Sequence, residues 1–205
     1  VKVSSDVDGE RSYYKFADAL AAANIMYNPT IKLLADCEEA PGVELMISSN
    51  VKSTTYTIDL NGYTATLTRP ISGTSTAGGE NRFLNITSNM AVKIMDSSAE
   101  PNGQIRCLAT GNAYARGITV TDGSLTLESG KLYVQNDAPY ASNSSERVYA
   151  VVVAAGKTFT MNGGEIEAAS EYYGWGVVGS GSASARSIVN MNGGVINANA
   201  YYDAR

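Results

Sequence analysis

The sequence contains no histidine, and this absence limits the chemistry that the chain can perform. Histidine is the only side chain whose unperturbed pKa lies near neutral pH, and it is the commonest metal ligand in proteins. With no histidine, the two cysteines are too few for a typical zinc site. We therefore expect neither a metal ion nor a cofactor.

Long apolar runs and stripes of basic residues are also absent. No segment reaches the ~18 consecutive apolar residues of a membrane-spanning helix, so we expect no membrane insertion. The net charge of -5 and the lack of a basic stripe argue against nucleic-acid binding. Val1 is not an initiator methionine and no signal peptide is present, so we expect an excised piece of a longer chain.

The most informative feature of the chain is an internal repeat. Three segments share one pattern of apolar and polar residues, and they lie at 125–132, 159–166 and 189–196. Each contains an apolar pair, then a glycine at Gly130, Gly164 or Gly194, and then Leu or Ile. The glycines are 34 and 30 residues apart, and a period of this size indicates stacked supersecondary units that bury their apolar faces against one another. With 44% hydrophobic residues, the chain can bury one continuous core.

Each repeat has the periodicity of β-strands, because apolar residues alternate with polar ones before and after the glycine. A third apolar stretch precedes each pair, as at Trp175 and Val177. One period therefore holds three short strands, and no helical pattern lies between them. We predict an all-β fold, a parallel β-helix of about six coils. Its inward residues are expected to stack in buried ladders: Leu125, Leu127, Leu132, Phe159, Met161, Ile166, Val189, Met191 and Ile196.

The N-terminal region has the one helical pattern in the chain. Residues 12–24 are predicted to form a helix that Ser12 caps, with one apolar face made of Phe16, Ala19, Leu20 and Ala23. We expect residues 1–29 to cover the first coil and residues 30–205 to form the β-helix, truncated at its C-terminus. A membrane-surface helix is the alternative, although Lys15 is the only basic residue of that helix.

The two cysteines allow two interpretations. Cys107 alternates with Ile105 on the inward side of a strand, and Cys37 lies about two coils earlier. A disulfide needs Cα atoms within about 7 Å, which is less than two coil spacings of about 4.8 Å each. We therefore expect two free thiols, and a bridge only if the early coils are arranged differently.

Aromatic residues follow the third strand of successive coils and suggest a binding surface. Rings that pack on sugar faces beside carboxylates that accept hydroxyl donors would form a glycan platform. The alternative is that the rings only pack on each other and cover a loop edge. The candidate residues are Tyr140, Tyr172, Tyr173, Trp175, Tyr201 and Tyr202, with Asp137 and Glu171 beside them and Asp203 on the same edge.

Several segments give the chain a resemblance to a known group of proteins. The order FADALAAAN, TIKLLAD, TIDLNGYTAT, VKIMDSSAEPNGQI, ITVTDGSLTLESGKL and FTMNGGEIEA resembles the β-helical repeats of large bacterial surface proteins, especially those of gut anaerobes. The resemblance implies a right-handed parallel β-helix in an extracellular stalk or adhesin on the bacterial cell surface. It implies no catalytic residues, and it does not require Cys37 or Cys107.

These observations favour a non-catalytic extracellular module that acts in adhesion to cell-surface or dietary glycans, or as a spacer within a longer surface protein. The first alternative is a polysaccharide lyase or glycoside hydrolase, because parallel β-helices host such enzymes. Hydrolysis usually needs two carboxylates at a set separation. The acids here are scattered over Asp59, Asp96, Asp122, Glu128, Glu165 and Glu167. A virion fibre or tailspike segment is the other alternative.

Overall fold

The described part of the chain winds through six successive coils, and each coil contributes one strand to each of three sheets. The structure is a computed structural model, and it describes residues 1–71, 81–111, 113–137, 147–181, 184–200 and 203–204. The predicted site residues Tyr140, Tyr201 and Tyr202 lie outside these ranges. For Asp203 and Ala204, only the backbone is described.

Three elements precede the coils: β1 (Lys2–Ser5), β2 (Gly9–Ser12) and α1 (Phe16–Ala23). The first three coils contain β3 (Thr30–Lys32), β4 (Cys37–Glu39) and β5 (Leu45–Ile47), then β6 (Thr55–Asp59), β7 (Thr64–Pro70) and β8 (Arg82–Ile86), then β9 (Ala91–Met95), β10 (Gln104–Thr110) and β11 (Tyr114–Val120). The last three contain β12 (Ser124–Leu127), β13 (Lys131–Asn136) and β14 (Arg147–Val153), then β15 (Thr158–Met161), β16 (Glu165–Ser170) and β17 (Tyr173–Gly179), then β18 (Ile188–Met191), β19 (Val195–Ala200) and β20 (Asp203–Ala204).

Every strand of a coil pairs in parallel with the equivalent strands of neighbouring coils. The first sheet runs β3-β6-β9-β12-β15-β18, the second β4-β7-β10-β13-β16-β19, and the third β5-β8-β11-β14-β17-β20. At its N-terminal edge the first sheet is extended by β1 and β2, which pair antiparallel. The parallel β-helix with about six coils is therefore confirmed.

The core is built from inward residues that stack one coil above another. Leu125 pairs in register with Phe159, and Leu132 with Ile166, and all four side chains are buried. The predicted burial is wrong for the last coil, where Val189 is 41% exposed and Met191 is 47% exposed. Both residues are in register with the core, but among the described residues no further coil packs on their other side. In the same coil Ile196 is only partly buried.

The glycines that mark the repeat lie at the turns between the first and second sheets. Gly130, Gly164 and Gly194 have φ of 83°, 78° and 85°, a region that side chains with a Cβ rarely adopt. A Cβ added at Gly194 would also lie 2.8 Å from the carbonyl oxygen of Gly164 in the coil before it. Glycine is therefore required both by the turn and by the close stacking of the coils.

The third sheet departs from simple alternation. In β14, Ala150 and Val151 are consecutive in the chain and both are buried, so two neighbouring residues face the core. Gly176 occupies the position equivalent to Ala150, and a Cβ there would collide with Ile196. Strict alternation would place Trp175 and Val177 on the same side of the sheet. Because of the extra inward residue, they lie on opposite sides. Trp175 is on the outer face of the sheet, and Val177 packs against the core.

The N-terminal helix covers the first coil with the predicted apolar face. Its buried residues are Phe16, Ala19, Leu20 and Ala23. The helix is shorter than the predicted 12–24. Among the described residues, no helix is long and apolar enough to cross a membrane.

The predicted capping of this helix by Ser12 is wrong, because Ser12 ends β2. The N-cap residue is Lys15, whose side chain makes no capping hydrogen bond. Instead, the Glu39 carboxylate in β4 accepts hydrogen bonds from the backbone N–H groups of Phe16 and Ala17, the latter at 3.1 Å. A carboxylate from the first coil thus satisfies the helix N-terminus, and a negative charge is favourable there.

Both cysteines are free, as expected. They lie on the second sheet two coils apart, because β4 pairs with β7 and β7 pairs with β10. Burial raises the pKa of the Cys37 thiol to about 11, and burial also raises the pKa of the fully buried Cys107 thiol. Both thiols stay protonated at neutral pH, so neither is a reactive nucleophile.

A buried aspartate organises the long turn between β9 and β10. The Asp96 carboxylate accepts hydrogen bonds from the backbone N–H groups of Gly62 at 2.8 Å and Gly103 at 2.6 Å, and from the Ser98 hydroxyl at 2.7 Å. Burial alone would raise the pKa of the Asp96 carboxyl, but the hydrogen bonds from Ser98, Gly103 and Gly62 outweigh it and lower the pKa. The charged form is therefore stabilised by folding.

Replacing a core residue by a charged one should unfold the domain. We expect Ile166→Asp to reduce the free energy of unfolding by more than about 4 kcal/mol, because an unpaired charge would be buried in the ladder. Val195→Asp is the matched control, since Val195 is 54% exposed and should change stability by less than about 0.5 kcal/mol. Urea unfolding of both variants measures the difference, and an Ile166→Asp protein with unchanged stability would contradict the coil assignment.

Acid should weaken the fold through Asp96. Because its pKa is lowered in the folded state, its stabilisation is present above the unfolded value of about 3.9 and is lost as pH falls through the folded value. Asp96→Asn should therefore be less stable than the parent at pH 7, and the difference should shrink at pH 3. Glu128→Gln, at an exposed side chain, is the control. An equal stability difference at both pH values would show that the charge of Asp96 is not the cause.

Candidate functional site

The outer face of the third sheet carries two rows of aromatic and arginine side chains. The first row aligns Arg82, Arg116, Tyr149 and Trp175 across four strands. The second row aligns Tyr114, Arg147 and Tyr173, and the backbone of Asp203 continues it. We call the seven residues Arg82, Tyr114, Arg116, Arg147, Tyr149, Tyr173 and Trp175 the aromatic–arginine face. Neighbouring strands are about 4.8 Å apart, so the face extends about 14 Å along the β-helix.

Three rings of this face are nearly parallel. The centroids of Tyr149 and Trp175 are 4.9 Å apart with an interplanar angle of 11°. Tyr173 lies 5.4 Å from Trp175 at an angle of 23°. Tyr172 extends the group, because its ring meets Tyr173 edge to face at 4.4 Å. These contacts hold the rings in one arrangement while Tyr149, Tyr173 and Trp175 remain partly exposed.

Arginine side chains lie over the rings. The Arg147 Cζ atom is 4.8 Å from the centroid of Tyr114, 5.4 Å from Tyr173 and 5.8 Å from Trp175. Arg116 lies 5.9 Å from the ring of Tyr149. Such cation–π contacts are each worth about 0.5–1 kcal/mol at partly exposed sites, so they order the guanidinium groups as well as the rings.

The electrostatic environment differs between the arginines. Partial burial lowers the pKa of the Arg116 guanidinium, and the positive charge of Arg82 lowers it further. A hydrogen bond to the Tyr149 oxygen raises the pKa of Arg147 and outweighs the opposing effect of burial. Arg82 lies 3.5 Å from the Glu44 carboxylate.

Three buried polar atoms in the described part of the chain have no hydrogen-bond partner, and all three belong to strands of the third sheet. They are Arg82 Nε, Thr119 Oγ1 and Arg147 Nε. Buried polar atoms without partners are rare in native proteins. Two of the three belong to arginines of the aromatic–arginine face, and both Nε atoms are buried beneath its surface.

A polar groove of about 350 Å³ lies at the corner after the second sheet. Asp137 and Glu171 both line it, together with Gln135, Asn136 and Asn199. Asp137 accepts a hydrogen bond from the Gln135 amide. Because Glu171 directly precedes Tyr172 and Tyr173 in the chain, the groove and the aromatic–arginine face meet at this corner.

The structure thus brings Tyr172, Tyr173 and Trp175 together, and it places Asp137 and Glu171 in one groove beside them. Their role in binding stays a prediction. Sequence reasoning missed Tyr149, Arg116 and Arg147. A signal was available, since the triplets at 114–116, 147–149 and 173–175 occupy the same place in successive coils.

Three other acidic residues that could serve catalysis, Glu165, Glu167 and Asp122, are engaged in ion pairs. Lys131 binds Glu165 at 3.1 Å and Glu167 at 2.6 Å beside a groove of about 550 Å³. Burial would lower the pKa of Lys131, but the hydrogen bonds to Glu167 and Glu165 outweigh it and raise the pKa. Asp122 binds Lys157 at 2.6 Å.

No protein-family model, curated protein or solved structure matches the chain. Within the described ranges, no group of three histidine, cysteine, aspartate or glutamate side chains is arranged to hold a metal ion. The function is therefore inferred from the geometry of the described residues.

The only tryptophan of the chain reports on the aromatic–arginine face directly. The rings of Tyr149 and Tyr173 both stack on the Trp175 ring and partly shield it from water. We expect Tyr149→Ala to shift the tryptophan emission to longer wavelength, because the indole gains contact with water. Tyr63→Ala removes a partly exposed tyrosine before β7 and should leave the emission unchanged. An unshifted spectrum in a folded Tyr149→Ala protein would contradict the stacking geometry.

Proposed function

We propose that this β-helix is a non-catalytic carbohydrate-binding module and that a polysaccharide lies along its aromatic–arginine face. The observation that carries the proposal is the nearly parallel arrangement of Tyr149, Trp175 and Tyr173 on one partly exposed surface. Because the rings stack on one another, the surface offers their exposed edges as apolar area and the tyrosine hydroxyl groups as hydrogen-bond partners for sugars.

Preorganisation supports this proposal. The rings are held by stacking and by the guanidinium of Arg147, so binding a ligand would order few additional side-chain rotamers. Each rotamer-rich side chain immobilised on binding costs about 0.5–1.5 kcal/mol. A surface that is already ordered avoids much of this cost.

The neighbouring groove supplies the complementary polar chemistry. The carboxylates of Asp137 and Glu171 accept hydrogen bonds, and the amides of Gln135 and Asn199 both donate and accept them. Sugar hydroxyl groups need both kinds of partner. Because the face is shallow and open, we expect dissociation constants in the range of about 1 μM to 1 mM. Several copies on one surface would strengthen attachment through avidity.

We further propose that the module acts outside the cell, in adhesion at a bacterial surface. The resemblance to β-helical surface repeats and the low content of basic residues support this location. Stacked coils form a stiff, elongated scaffold that is suited to a stalk. If the aromatic–arginine face serves only for packing, the remaining function is that of a spacer.

A polysaccharide-cleaving enzyme is the alternative, and the ion pairs count against it. Lys131 holds both Glu165 and Glu167, and Lys157 holds Asp122. Asp96 is committed to backbone groups in the turn that it organises. A glycosidase needs one protonated and one ionised carboxyl group facing the same bond. Each of these acids already has a structural partner.

A glycan array with the purified domain, followed by titration calorimetry of the best ligand, tests the proposal. We expect Tyr172→Ala, Tyr173→Ala and Trp175→Ala each to weaken binding by about 1 kcal/mol or more while the protein stays folded. The same loss is predicted for Tyr202→Ala, at a position outside the described residues. Tyr63→Ala, at a tyrosine remote from the third sheet, should bind like the parent.

Two outcomes would contradict the proposed carbohydrate-binding function. If no glycan binds the parent and the ring variants melt several degrees lower, the rings are packing residues and the adhesive function is wrong. Release of reducing sugars or of unsaturated products from a bound polysaccharide would instead favour the enzyme.

A further inference from the structure

Three of the eight arginines of the chain, Arg82, Arg116 and Arg147, lie on strands of the third sheet, although the chain carries a net charge of -5. We propose that the aromatic–arginine face selects polysaccharides that carry carboxylate groups, with Arg82, Arg116 and Arg147 as the groups that contact the anions. The ligand class is therefore a uronic-acid polysaccharide. This inference rests on the proposed carbohydrate-binding function and adds the charge of the ligand to it.

The positions of the three arginines match a linear anionic ligand. Arg82 and Arg116 are in register on the adjacent strands β8 and β11. Arg147 lies on the next strand, β14, in the adjacent row. Three consecutive strands thus present guanidinium groups over about 10 Å along the β-helix. A chain of sugar rings that runs parallel to the axis would pass each of them in turn.

The local charge favours an anion. Arg82 and Arg116 repel each other, and the repulsion contributes to the lowered pKa of Arg116. Glu44 contacts Arg82 at 3.5 Å and offsets part of this charge. A carboxylate bound beside Arg82 and Arg116 would counter their mutual repulsion, because an opposite charge within a few ångströms stabilises the charged guanidinium.

The hydrogen-bonding geometry of the guanidinium groups also favours a carboxylate ligand. The Nε atoms of Arg82 and Arg147 are buried, so the partly exposed outer part of each side chain is what would meet a carboxylate. Guanidinium groups match the geometry of a carboxylate by two parallel hydrogen bonds, which makes such pairs stronger than bonds between neutral groups. The exposed ring edges beside Arg147 would contact the apolar part of the sugar while the guanidinium binds its carboxylate.

A single-stranded nucleic acid is the other anionic polymer that binds arginines and aromatic rings. The surroundings of the face make it less suitable, because Asp137 and Glu171 line the adjoining groove. A nucleic acid has a phosphate at every step and would meet these carboxylates. A polysaccharide with uncharged sugars between its uronic acids avoids that repulsion.

The test compares one uronic-acid oligosaccharide with its methyl ester, which has the same rings but no charge. We expect the parent to bind the acid at least tenfold more tightly than the ester, and this preference should decline at high salt. Arg116→Gln and Arg147→Gln should lower the affinity for the acid at least fivefold more than the affinity for the ester. Arg106→Gln is the matched control, because Arg106 also lies over a tyrosine, Tyr133, but on the second sheet.

Folding of each variant is checked by its thermal melting curve. If Arg116→Gln does not fold, Arg116→Lys keeps the charge but loses the paired hydrogen bonds, and it should still reduce the preference for the acid.

Four results separate the possible failures. Equal binding of acid and ester, both lost in Trp175→Ala, would overturn this inference and leave the proposed function intact. No binding of any glycan would overturn both. Tighter binding of a sulfated oligosaccharide without carboxylates would overturn the assignment of the uronic acid. Tighter binding of a single-stranded oligonucleotide than of any glycan would assign the face to nucleic acid instead.

Discussion

Parallel hydrogen bonding between successive coils is the constraint on which the rest of this structure depends. Each strand pairs with its equivalents one period before and after it, so a residue's place within the coil determines its neighbours. Leu132 and Ile166 therefore meet in one buried ladder although they are far apart in the chain. The close stacking also requires glycine at Gly164, because the backbone there turns with a positive φ against the coil before it.

Pairing between coils also determines the outer surface, because it brings side chains together that are far apart in the sequence. Tyr149 and Trp175 stack because they occupy equivalent positions on β14 and β17. A ladder of this kind is ordered before any ligand arrives, which suits a surface that binds an extended polymer by many weak contacts. The chemistry of the outer face is thus a consequence of the stacking that forms the core.

The repeat pattern predicted most of the core but not its exceptions. Alternation of apolar residues identified Leu125 and Ile166 as inward, because a half-buried strand leaves that signature. Alternation does not hold at Ala150 and Val151, where two consecutive inward residues shift the phase of the third sheet. It also failed at the helix N-terminus, where Ser12 has the right chemistry for a cap but Glu39 from another strand occupies the position. Capping by a distant residue leaves no local pattern in the sequence.

The amino-acid sequence on its own determined the coil architecture, since a period of roughly 30 residues with strand alternation has few other solutions. It also marked Tyr172, Tyr173 and Trp175 as a candidate surface. Only the tertiary structure shows that Tyr149, Arg116 and the other members of the aromatic–arginine face lie beside these three residues. The physical reason is that lateral neighbours in a β-helix are set by the register between coils. Register depends on the lengths of all the intervening turns and on slips within strands, neither of which a local pattern encodes.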